Sequence, residues 1–331
     1  MPDGGPGLAG TVLTAIILTG KPPGGERVIL ADVLPLSTPL VVQIFPIYRC
    51  NQTCPFCHFS IPPDQRGFIT DKVTMDWAMF ANLINGMSKF PAPVRVLRFV
   101  GMGEPLLHPH ISKMVRYAKL NRVADKVEIV TNGTLLDQDM AYRLAVSGLD
   151  RLVVSVQDTS LVEKIRYFHS FERCHVYVKI IDCCLKEPED EQMFYDAYRN
   201  ACDSMAVEYA GPIYRGVEWN KELCGTPLTQ YGVPPCDVKI CSQPFTSVQV
   251  NPDGNVVPCY SIEYPVIIGN VYEESIVDIW NGEKMKKFRL KMLDGRVNAS
   301  EACSQCEIIK HRMFKEDNLN DHAERLKEVY G

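Results

Sequence analysis

Excess positive charge is missing from this 331-residue chain: 35 Lys and Arg stand against 40 Asp and Glu, for a formal net charge of -5. Sequence-independent affinity for a phosphate backbone needs clustered Lys and Arg, so nucleic acids are poor candidate partners. A long apolar run is missing near the N-terminus. The stretch from Leu8 to Leu18 is too short to span a bilayer, and no Lys or Arg precedes it as a secretory n-region would require. The expectation is a cytoplasmic protein with no membrane partner. Internal repeats and low-complexity segments are also lacking. With 46% apolar and 23% charged residues, and Gly and Pro near ordinary usage, composition points away from fibrous and disordered classes. The length suits one large α/β domain plus a smaller module, or two medium domains.

Cysteine, by contrast, is abundant. The thirteen cysteines fall as Cys50, Cys54 and Cys57, a scattered set from Cys174 to Cys259, and then Cys303 and Cys306. A cytosolic chain more readily uses such residues for metal or catalysis than for disulfides. Tight groups at both ends form the pattern of two metal sites brought together by folding.

Periodicity supplies the frame. Residues 1–38 are rich in Gly and Pro and read as an irregular or β-hairpin lead-in without chemistry. Apolar runs at 41–47, 94–100, 127–133, 151–157, 175–181 and 205–210 read as strands. Helical patterns near 75–88, 108–120, 140–148, 160–170 and 190–203 lie between them. Six strands alternating with helices imply a parallel α/β sheet with function at the strands' carboxyl ends, whether it is open or closed. Past about residue 212 the rhythm breaks and a new module is expected: a β-hairpin at 245–260 turning at residues 251–254, then helices near 274–294 and 315–329.

The segment from Tyr48 to Cys57 places three thiolates within eight residues, which can wrap three corners of an iron-sulfur cube and leave one iron without a protein ligand. The alternative, structural zinc, normally takes four protein ligands in paired-Cys spacing. The C-x3-C-x2-C spacing, with Phe56 before the last Cys and a buried strand ahead, resembles the signature of the radical S-adenosylmethionine (SAM) superfamily. That resemblance implies a partial (β/α)6 TIM-like barrel. It also implies a [4Fe-4S] cluster whose open iron is chelated by SAM, and cleavage of SAM to a 5′-deoxyadenosyl radical that removes a substrate hydrogen. An electron donor such as flavodoxin or ferredoxin would feed that cluster, and the protein would supply position and exclusion of water.

Gly101-Met102-Gly103-Glu104-Pro105 follows the second strand and resembles the family's GGEP motif, in which backbone groups and the Glu meet the SAM amino group. Asn132, Ser155 and Gln157 end the next two strands, where the family pattern puts the methionyl and ribose groups; the alternative is strand-end capping. Phe56 is expected near the adenine. His108 and His110 read as helix N-terminal capping and solvated residues. Only about 17 residues separate Gln157 from the next strand, short for a family barrel.

Cys241 is followed by Gly254 and Cys259 in the spacing C-x12-G-x4-C, and later by Cys303-x2-Cys306. This resembles the auxiliary-cluster motif of SPASM and Twitch radical SAM enzymes. No cysteine follows Cys306, so the expectation is a Twitch domain with one auxiliary [4Fe-4S], making two clusters in all; a zinc ribbon is the alternative. Cys236 could replace a ligand, leave an iron open or donate a hydrogen atom. Cys224 shares the last role, and the alternative for both is an inert thiol. Cys174, Cys183, Cys184 and Cys202 are expected to be packing residues.

The organisation so read is an N-terminal extension (1–38), a radical SAM partial barrel (39–215) and a Twitch/SPASM-like iron-sulfur domain (216–331). A closed auxiliary cluster suits dehydrogenation of a small sugar, amino-sugar or cyclitol, with epimerisation if a thiol donates hydrogen. The alternative is a maturase acting on a ribosomal peptide. Glu208, Tyr214, Arg215 and Glu218, around the last barrel strand, are the acid-base candidates.

Overall fold

The computed structural model describes residues 14–19, 27–66, 72–211, 217 and 228–331. The strands are β1 (Ile16–Ile17), β2 (Val41–Ile44), β3 (Val94–Phe99), β4 (Ala124–Thr131), β5 (Arg151–Val156), β6 (His175–Ile181), β7 (Ser204–Glu208), β8 (Ser247–Val250), β9 (Asn255–Val257) and β10 (Gly269–Asn270). They form one sheet in the order β1-β7-β6-β5-β4-β3-β2-β8-β9-β10. From β2 to β7 the strands are parallel neighbours in chain order, with helices Trp77–Met87, Ile111–Leu120, Gln138–Ser147, Val162–His169 and Asp190–Tyr198 in the crossovers. This is the parallel α/β sheet that the alternating pattern implies, and it agrees with the partial barrel that the resemblance implies.

Side-chain alternation splits each strand between two faces. Val42, Ile44, Leu97, Phe99, Val127, Ile129, Leu152 and Val154 enter the main core with the helices. The helix Trp77–Met87 shows why: Met79, Phe80, Leu83, Ile84 and Met87 lie on its buried side, and Asp76 caps it by accepting the Met79 N–H at 2.7 Å. Each such burial contributes about 1.5–3 kcal/mol. The intervening positions face the barrel interior and mix a small apolar cluster around Val153, Tyr177 and Ala206 with polar and charged residues. Across β2 to β5 the register aligns Gln43, Arg98, Glu128 and Arg151. Buried charges need partners: Arg98 Nε lies 2.8 Å and Arg151 Nη1 3.3 Å from the Glu128 carboxylate.

Three expectations change. The lead-in is not a hairpin over its described residues: β1 lies parallel to β7, Ile16 opposite Ser204, and Leu18 packs against the inner cluster of Val153, Tyr177 and Ala206. The open edge of β7 offers unpaired backbone groups, and this short apolar segment satisfies them. The C-terminal hairpin forms as expected, but β8 also pairs in parallel with β2, so it extends the barrel sheet rather than starting apart from it. Gly254 makes its turn at φ +84°, where a Cβ would lie 2.6 Å from Asn270 Oδ1. The helical stretch expected at 274–294 is two helices, Ile276–Asn281 and Glu283–Leu293, parted at Gly282. Among the described residues no helix is long and apolar enough to cross a membrane.

Candidate active site and auxiliary cysteine site

The chain leaves β2 at Ile44 and enters the cysteine loop through Phe45 and Tyr48. The Tyr48 hydroxyl donates to Asn251 Oδ1 at 2.6 Å and lies 2.8 Å from the Tyr264 hydroxyl. Asn251 is fully buried in the β8–β9 turn, so the loop is tied to the C-terminal hairpin. Sequence reasoning missed this pair, because neither residue carries a motif linking it to the other. Phe45, Tyr48, Phe59 and Met102 form a cluster with Cys50 and Cys57 packed against it. Phe56 itself is half-buried.

All three loop thiols are half-buried. The Cys57 N–H donates to the Cys54 carbonyl at 2.9 Å, closing the turn between them. Cys50 Sγ accepts from the Gln52 N–H at 3.4 Å and Asn132 Nδ2 at 3.8 Å; Cys54 Sγ accepts from Gln157 Nε2 at 2.9 Å. Burial pushes all three thiols up, Cys54 to about 12 with added repulsion from Cys57 and Cys50. A cationic iron centre is what would stabilise three such thiolates together.

The predicted cofactor residues gather around this loop. The Glu104 N–H donates to the Arg49 carbonyl at 2.7 Å, joining the end of β3 to the loop. The Glu104 carboxylate is buried: Oε1 accepts from Thr131 Oγ1 (2.6 Å) and the Leu106 N–H (2.9 Å), and Oε2 from the Asn132 N–H (2.8 Å). Three of its roughly four acceptor sites are thus used, leaving one for an ammonium group. Gly101 and Gly103 have φ of +130° and +146°, and a Cβ on Gly103 would stand 2.1 Å from the Ile47 carbonyl oxygen. Ser155 is half-buried on the inner face of β5, and Gln157 follows that strand.

At the carboxyl end of β7, Glu208 accepts from Lys179 Nζ (2.5 Å), Gln230 Nε2 (2.7 Å) and the Tyr177 hydroxyl (3.1 Å). Tyr214, Arg215, Glu218 and Cys224 lie outside the described residues. His108 is a correction: rather than solvated it is buried, with Nε2 2.9 Å from the Met75 carbonyl and Nδ1 accepting the His110 N–H at 3.2 Å. The expected packing role fits Cys202, which is buried, and Cys174, which lies against the main core. Cys184, half-buried beyond β6, likewise lies against the main core, and Cys183 beside it is half-buried.

The C-terminal thiols converge. Cys241, Cys259, Cys303 and Cys306 line one cavity, walled by apolar groups including Met292 and Ile309. Burial pushes Cys241, Cys259 and Cys303 up, and the neighbouring thiols add to the rise. Arg296 Nη1 donates to the carbonyls of Cys303, Ser304 and Cys306 at 3.1–3.3 Å, fixing that turn. Among the described residues no three His, Cys, Asp or Glu converge as for a single ion. Four thiols around an apolar-walled space fit a larger all-cysteine cluster. Cys236 packs beside Cys241 against Val238, Ile309 and Met313.

Comparison with known proteins adds to this geometry. The radical SAM superfamily matches residues 44–174, and the SPASM iron-sulfur cluster-binding domain matches residues 241–307. The tungsten-containing aldehyde ferredoxin oxidoreductase cofactor-modifying protein of Pyrococcus furiosus is 24% identical, covering 79% of this chain and 87% of that one. The S-adenosyl-L-methionine-dependent 2-deoxy-scyllo-inosamine dehydrogenase of Niallia circulans is 23% identical, covering 79% and 90%. The crystal structure of BtrN in complex with AdoMet and 2-DOIA superposes with a TM-score of 0.54 at 18% identity, over 84% of this chain and 96% of that one.

Proposed function

Since the chain belongs to the radical SAM superfamily and carries a SPASM iron-sulfur domain, we propose that it dehydrogenates a small sugar-like molecule bound at the mouth of the barrel. It is an oxidoreductase that uses SAM, a [4Fe-4S] cluster and further iron-sulfur in the SPASM domain. In this reading Cys50, Cys54 and Cys57 hold the catalytic cluster, and Cys241, Cys259, Cys303 and Cys306 hold a single auxiliary one. Glu104, Asn132, Ser155 and Gln157 border the SAM site, with Phe56 near the adenine. A cytoplasmic flavodoxin or ferredoxin is the matching reductant.

The observation that carries the reading is the four-thiol cavity. With four protein ligands no iron is left open, so that site exchanges electrons and does not bind substrate. When bound, SAM and its cluster supply the radical that takes a hydrogen atom, and the auxiliary cluster supplies an electron acceptor. The chain's own residues do the remaining work. Gly101 and Gly103 let backbone approach SAM closely. Glu208, oriented by Lys179, Tyr177 and Gln230, accepts the proton released as a substrate hydroxyl becomes a carbonyl. The dehydrogenase relative supports a polyhydroxylated substrate.

The test is anaerobic turnover of holoenzyme with a panel of amino-cyclitols, amino sugars, sugar phosphates and sugar acids, following 5′-deoxyadenosine and product mass together. Product short of two hydrogens, formed in step with 5′-deoxyadenosine, is expected. Solvent deuterium incorporated without net oxidation means epimerisation and refutes this reading. Turnover only of a peptide, giving a crosslinked or D-residue product, means a maturase.

A further inference from the structure

The barrel interior is cationic although the chain as a whole carries a net charge of -5. Three barrel cations, Arg98, Arg151 and Lys179, stand against two inner carboxylates, Glu128 and Glu208, and Arg312 comes from the C-terminal helix Ile308–Arg312. The Tyr231 ring stacks on that of Phe314, two residues after Arg312, with centroids 5.2 Å apart. Arg98 and Arg151 share Glu128, and Lys179 holds Glu208. Asp182, at the rim beyond β6, is occupied by the N–H groups of Cys183 and Ala210.

Arg312 is left over. Its side chain has neither an ion pair nor a hydrogen bond among the described residues, and its Nε is sealed from solvent without a partner. The guanidinium instead lies 4.6 Å from the centroid of the Tyr260 ring. Tyr260 follows the auxiliary ligand candidate Cys259, and its ring is 5.3 Å from that of Phe45 at the root of the N-terminal cysteine loop. A group held by Arg312 would therefore lie between the two cysteine sites. Leaving a partly dry guanidinium without an acceptor is costly, and its planar fork matches a carboxylate or phosphate.

We propose that Arg312 binds an anionic group of the substrate, so that the substrate is a sugar phosphate or sugar acid rather than a neutral cyclitol. This rests on the sugar-like reading above and narrows it. A purely electrostatic role, in which Arg312 offsets the charge of the auxiliary cluster, makes a different prediction: ligand binding would ignore charge.

The experiment is calorimetric titration of SAM-loaded holoenzyme with glucosamine 6-phosphate, glucuronate and glucosamine, repeated for Arg312→Ala and Arg312→Lys. At least one charged probe is expected to bind about tenfold or more tighter than glucosamine, its identity separating phosphate from carboxylate. That preference should vanish in R312A and return in part in R312K, with iron content and the auxiliary cluster's EPR signal unchanged. Equal or undetectable binding of all three probes overturns the proposal, as does a charge preference that survives R312A. Failure of the dehydrogenation reading looks different: the Arg312-dependent preference stands, but no sugar-like probe loses hydrogen.

Discussion

Gly103→Ala is the substitution whose consequence can be worked most directly from the structure. Gly103 has φ +146°, a region essentially reserved for glycine. An added Cβ would stand 2.1 Å from the Ile47 carbonyl oxygen and 2.8 Å from that of Arg49. Both obstacles are backbone, so no side-chain rotation relieves them. Backbone strain costs about 1–3 kcal/mol and overpacking about 1–3 kcal/mol more, so about 2–6 kcal/mol falls on the strand-to-loop junction. The adjacent hydrogen bond from the Glu104 N–H to the Arg49 carbonyl must then lengthen, and Cys50 follows next in the chain. The barrel core lies elsewhere, so the expected result is a folded protein with a displaced cysteine loop. Anaerobic reconstitution should give about four irons instead of about eight, with 5′-deoxyadenosine formation lost and circular dichroism near wild type. Should G103A keep about eight irons and cleave SAM within twofold of wild type, the argument from backbone contact is wrong.

Replacing Cys303 and Cys306 together by Ala should remove about four of about eight irons while dithionite-driven SAM cleavage persists and product formation stops; loss of SAM cleavage alongside would show that the two sites are not independent. His108 gives a pH signature. Burial holds its imidazole below the ordinary value, with the charge of His110 also opposing protonation and the Met75 carbonyl partly offsetting them. Its contribution is thus present above the unfolded value near 6.5 and is lost as pH falls toward the depressed folded value. Urea midpoints should fall more between pH 7.5 and 5.5 in wild type than in His108→Gln, and parallel pH dependences would refute the assignment. His108→Ala should cost about 1–3 kcal/mol at neutral pH by leaving the Met75 carbonyl buried without its donor.

The alternation of apolar runs with helical patterns located all six barrel strands, because each is a local signal: a buried strand needs a run of apolar residues, and its crossover helix needs an apolar stripe. The grouping of Cys50, Cys54 and Cys57 was equally plain, since three thiols within eight residues stay near one another in a single loop. What the sequence left undetermined depends on partners distant along the chain. The segment at 14–19 has no strong pattern and becomes a strand only because β7 presents an open edge. β8 reads as half of a hairpin, yet it also lies along β2, about 200 residues earlier. Arg98, Lys179, Glu208 and Arg312 look like ordinary solvated charges in the chain. Only the tertiary fold, through the sheet for the first three and the C-terminal helix for Arg312, sets them where desolvation makes the pairing of Arg98 and Lys179, and the lack of a partner for Arg312 among the described residues, chemically decisive.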